Sequence, residues 1–158
     1  MTYYKDTTTS TATPELTLVT YFGATGPEEN DKIAPVYVNG KLMKYHEARG
    51  EPGLAPGAFT PEENTYREIT KYNGYDQVVS YTQNSTAIYE EDGTFNEGLV
   101  TNINRIDTKY DSAGQAVYYK EEITSSAAEN LKTTVYFGAS GLEASNNPIL
   151  SAPKFDVL

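Results

Sequence analysis

"LVTNINRIDTKYDSAGQAVYYKEEIT" (Leu99–Thr124) holds two β-prone runs, Leu99–Tyr110 and Ala116–Thr124, on either side of Asp-Ser-Ala-Gly (Asp111–Gly114). Aspartate opening and glycine closing a four-residue turn is ordinary hairpin chemistry. The stretch therefore predicts two long antiparallel strands. Upstream, "DQVVSYT" and "TAIYE" predict two more, with a turn placed at Asn84-Ser85 and another at Asp92-Gly93. Downstream, a "SSAAEN" loop leads to a last strand at Leu131–Phe137. The second half of the chain thus reads as a meander.

The first half is less uniform. Leu16, Leu18, Thr20 and Phe22 alternate with Thr17, Val19 and Tyr21, the period of two that marks a strand. In "VYVNGKLMKY" (Val36–Tyr45), Asn39-Gly40 supplies the positive φ angles of a type I′ hairpin turn. His46–Phe59 carries Gly50, Pro52, Gly53, Pro56 and Gly57, and is expected to be a long irregular loop. Thr60-Pro61-Glu62-Glu63 has capping-box order, which predicts a single helical turn leading into a strand at Tyr66–Tyr72. Met1–Pro14 is Thr-rich and nearly free of apolar side chains, so it reads as an extended arm that orders only against a partner, with a disordered tail as the alternative.

One phrase is written twice. Leu16–Gly26 and Leu131–Gly141 match at six of eleven positions, around "YFGATG" and "YFGASG", and an Ala-Pro pair follows each copy. The repeat is expected to mark the first and last strands of one sheet, closing a barrel or sandwich, with Phe22 and Phe137 both buried. The fold expectation is therefore all-β: a single antiparallel β sandwich or barrel over residues 15–158, an arm over 1–14, and at most one or two short helices.

Composition narrows the function. The chain has 158 residues, enough for one domain with a core of its own. Twelve basic against 22 acidic residues give a net charge of −10, which repels nucleic-acid backbones and anionic lipid. There is no cysteine, so thiol chemistry and zinc–thiolate sites are out. No run approaches a membrane span and the N-terminus lacks an apolar export core, so the expectation is synthesis in the cytosol without a cleaved signal. Fourteen Tyr, 20 Thr and no Trp give the chain a β texture.

Motifs for chemistry are wanting. Ser140 in "GASG" has the wrong spacing for a hydrolase elbow. His46, the single histidine, has only Glu47 beside it and reads as a loop residue. "YEEDGTFNEG" offers oxygens from Glu90, Glu91, Asp92, Asn96 and Glu97, but without the order of a calcium loop. Asn84-Ser85-Thr86 fits a glycosylation acceptor and is read as a turn. The resulting expectation is a non-enzymatic structural or assembly protein with no cofactor or metal, of the kind found as a virion or capsid-decoration component, partnered by copies of itself or a larger lattice. Contacts are expected from Tyr3 and Tyr4 in the arm and from His46, Arg49, Leu54 and Phe59 in the loop. The alternatives are a surface-exposed glycan- or protein-binding module and, third, a barrel that carries or transforms a small ligand.

Overall fold

The computed structural model describes residues 3–9, 17–53, 58–92, 94–142 and 148–150. Its strands are β1 (Tyr4–Thr9), β2 (Thr17–Phe22), β3 (Val36–Val38), β4 (Lys41–Pro52), β5 (Phe59–Tyr72) and β6 (Val78–Glu91), then β7 (Thr94–Tyr110), β8 (Ala116–Ser125), β9 (Ala128–Phe137), β10 (Ala139–Leu142) and β11 (Pro148–Leu150). A 3-10 turn at Glu29–Asp31 is the one helical element among the described residues. The all-β antiparallel expectation is met.

Closure is not. The main sheet runs in the order β1-β2-β4-β5-β6-β7-β8-β9, with β3 attached to β4, and its ends do not meet. The first and last strands share a sheet, as the repeat suggested, but lie at opposite edges. A sandwich or barrel needs an enclosed apolar interior, and the described residues bury little. Among the described residues only Val19, Tyr21, Phe22, Ala24, Ala48, Ile69, Tyr81 and Tyr118 are buried hydrophobics. The accessible surface is 10495 Å², against about 7,900 Å² for a globule of this mass. The molecule is a single-layer sheet with a small core, Val19, Tyr21, Ala24 and Ala48, covered by Tyr3 and Phe59.

Several local expectations are corrected. The arm is extended, but Tyr4–Thr9 pairs along β2, from Tyr4 opposite Phe22 to Thr9 opposite Thr17. The supposed loop from His46 is strand as far as Pro52, and strand again from Phe59, because backbone pairing of β4 with β5, joined by β2 over Glu47–Gly50, overrides the breakers. Gly50 and Pro61 face each other where the register shifts, a bulge that tolerates proline in a sheet. The capping-box residues Thr60–Glu63 lie in β5, where Glu63 pairs with Ala87 instead of folding back on a helix. Asn84-Ser85 is mid-strand: Asn84 donates to Asn102 at 2.8 Å, and the Thr65 and Ser85 hydroxyls meet at 2.9 Å. Cross-strand polar pairs hold there what sequence alone reads as a turn. The Asn39-Gly40 turn is as expected, with φ of 51° and 79°.

The repeat proves larger in three dimensions than in its eleven-residue phrase. Tyr4 stands opposite Phe22 and Tyr119 opposite Phe137, the second pair lying 115 positions after the first. The rings stack at 4.8 Å in the first pair and 4.7 Å in the second. Gly23 and Gly138 both have φ of 75°, and the alanine after each opens a small ladder, Ala24 with Lys32 and Ala139 with Leu150. With this register, Tyr3–Gly26 and Tyr118–Gly141 align without a gap and agree at 12 of 24 positions. The β1–β2 and β8–β9 hairpins are the same element used twice. Phe22 is buried, as expected, whereas Phe137 is half-buried because no strand lies beyond β9 among the described residues.

Candidate functional site

Register places one large side chain from each of eight strands in a single slanted row across one face. Tyr4, Phe22, Tyr45, Arg67, Tyr81, Arg105, Tyr119 and Phe137 succeed one another from β1 to β9. Each contact is explicit. Tyr4 stacks on Phe22, and Phe22 meets Tyr45 at 5.0 Å. The Arg67 guanidinium lies 5.6 Å from the Tyr45 ring and 4.5 Å from that of Tyr81. Arg105 lies 5.0 Å from Tyr81 and 3.8 Å from Tyr119, which stacks on Phe137.

The row alternates two kinds of step. Tyr4–Phe22, Tyr45–Arg67, Tyr81–Arg105 and Tyr119–Phe137 stand directly opposite across a strand pair. The steps between them are diagonal, displaced by two residues, which aromatic and guanidinium groups can bridge. Long side-chain ladders of this kind stabilise open sheets that lack a covering layer. Both guanidiniums are held from the side: Arg67 Nε donates to Gln83 Oε1 at 2.9 Å, and Arg105 Nε to Glu121 Oε1 at 2.7 Å. Burial raises the phenols of Tyr45 and Tyr81 above their ordinary range despite the neighbouring guanidiniums, so both rings stay neutral.

The opposite face carries the small core at its β2–β4 end and is polar across β5 to β9. Tyr66, Thr82, Asn84, Asn102, Glu122 and Lys132 line a shallow depression of about 450 Å³. At one wall Glu122 accepts from Lys120 and pairs with Lys132, each at 2.8 Å, and these bonds hold its carboxyl down at about 2.

The residues expected from sequence to make contacts divide between the two faces. Tyr3 and Phe59 come together around Tyr21, with ring centroids 6.3 and 5.0 Å from it, and serve the small core. Tyr4 is the first rung of the ladder and is 42% exposed. His46 lies on the polar face against Tyr66 at 4.8 Å, with its pKa lowered by burial. Arg49 is exposed opposite Glu63 in the register. Leu54 lies outside the described residues. Tyr45, Arg67, Tyr81, Arg105 and Tyr119 were missed as a group, because their adjacency depends on register across five strands. Among the described residues no three His, Asp or Glu side chains are grouped as metal ligands. In comparisons with protein-family models, with curated proteins and with solved structures, nothing matched the chain.

Proposed function

We propose that this chain is a structural assembly module whose work is done by its sheet as a whole, not by a pocket. The observation that carries the reading is the eight-rung ladder across an open, single-layer sheet. Such a sheet presents two wide faces and two edges, and unpaired edge strands are ready templates for another chain. The acidic charge keeps copies soluble until a specific contact is offered. A virion decoration component is one form such a module takes. Sedimentation velocity over a concentration series tests the reading. Concentration-dependent species above the 17.4 kDa chain support it; a single monomeric species up to about 1 mM, the range of the weakest specific contacts, contradicts it.

A second reading is favoured by the polar depression. An aromatic wall from Tyr66, the paired amides of Asn84 and Asn102, and a charged rim are the groups that hold sugar hydroxyls. Titration with soluble oligosaccharides, compared with an Asn84→Ala variant, tests it: heat lost in the variant supports the reading, and no heat from either protein ends it.

A further inference from the structure

We infer that the free edge of β9 is an acceptor site for strand β4 of a second copy of this unit, so that adjoining units share one continuous sheet. The inference rests on the assembly reading above and names the partner and the register.

The β8–β9 hairpin repeats β1–β2 in sequence, register, ring stacking and the backbone of its corner glycine. Within the chain, the far edge of β2 is taken by β4, with Val19 opposite Gly50, Thr20 opposite Arg49, Tyr21 opposite Ala48 and Phe22 opposite Glu47. The corresponding β9 residues, 115 positions on, are Thr134, Val135, Tyr136 and Phe137. Among the described residues that edge carries no strand, and Leu131 and Val135 along it are 61% and 39% exposed. An exposed strand of this length with apolar side chains is a template for pairing.

The ladder gives a second, independent indication. It alternates direct and diagonal steps, and its last direct step is Tyr119–Phe137. Earlier in the row, the direct step Tyr4–Phe22 is followed by a diagonal one to Tyr45 of β4. Phe137 therefore ends the row at the point where a β4 tyrosine continues it. The two hairpins are alternatives for one edge: a copy offers β4 to its neighbour when its own β1–β2 hairpin is not seated there.

The absence of cysteine makes the register directly testable. The probe is a synthetic peptide of residues 41–52, "KLMKYHEARGEP", carrying Arg49→Cys. It is added under mild oxidation to the full chain carrying Val135→Cys, an exposed position. The inferred register sets these two side by side on one face, within disulfide reach. Peptides with Ala48→Cys or Gly50→Cys direct the thiol to the other face and serve as controls. Cross-linking at least about tenfold faster for position 49 supports the site. Equal rates for the three peptides, or none, overturn it, with circular dichroism confirming that the Val135→Cys chain is folded. Failure here with assembly still seen in sedimentation assigns assembly to another surface, so the two readings fall separately.

Discussion

Arg105 is where the ladder is most concentrated. Its guanidinium lies between the Tyr81 and Tyr119 rings and is fixed by Glu121, whose side chain is 13% exposed. Arg105→Ala leaves that carboxylate without its cation and takes one of two ladder neighbours from each ring, since Tyr81 keeps Arg67 and Tyr119 keeps Phe137, an expected loss of about 2–4 kcal/mol. Arg105→Lys keeps the charge but not the planar fork, and is expected to lose about half as much. Urea denaturation measures both, and an alanine variant within about 0.5 kcal/mol of the parent would show that the row is not stabilising. Two carboxyls on opposite faces have opposite pH signatures. Burial raises Glu47, with Arg67 drawing it down, Glu63 pushing it up and Arg49 drawing it down. A folded pKa above the unfolded value near 4.3 means its contribution declines as pH rises through that window. Glu47→Gln should therefore raise the melting temperature at pH 7 and change little below about pH 4. Glu122, held at about 2, contributes above about pH 4.3 and loses that contribution as pH falls toward 2. A carboxyl titration by NMR reads its midpoint directly.

At the scale of the element, two glycines carry the geometry that side chains cannot. A Cβ on Gly50 would stand 2.0 Å from the Thr60 carbonyl oxygen, where the bulge opposite Pro61 brings the backbones together. A Cβ on Gly138 would stand 2.0 Å from the Val117 carbonyl oxygen, at a φ of 75°. Alanine at either position is expected to cost about 1–3 kcal/mol, and melting curves within a degree of the parent would contradict the assignment. Hairpin chemistry was the legible part of the sequence. Asn39-Gly40 and Asp111–Gly114 each join successive strands where turn residues predict, and Asp92 follows β6 at a φ of 51°; Gly93 lies outside the described residues. What misled were local signals that long-range pairing overrode. The capping box at Thr60 is held extended against β4, and the Asn84-Ser85 pair is strand interior, paired with both β5 and β7. The arm's composition cannot hold it in place by itself. It does not have to, because Tyr4 stacks on Phe22 and the backbone of β2 supplies the partner.

At the scale of the whole molecule, the alternation of side chains indicated strands but not how many layers they form. The sparse apolar content is compatible with one layer only when each strand adds a rung to a shared row. That row could not be read before register was known, since the shifts at Ile106/Lys109 and Ile69/Lys71 break simple counting from the turns. The sheet is open and one layer thick, and small-angle scattering reads that shape. Eight strands about 4.8 Å apart, the longest extending about 50 Å, form a slab with a radius of gyration of about 18–19 Å, whereas a compact globule of 158 residues has about 15 Å. Measured where forward scattering corresponds to one 17.4 kDa chain, a value near 18–19 Å with a plate-like distance distribution is the predicted result. A value near 15 Å with a symmetric distribution would mean that the sheet closes on itself, and would contradict the account.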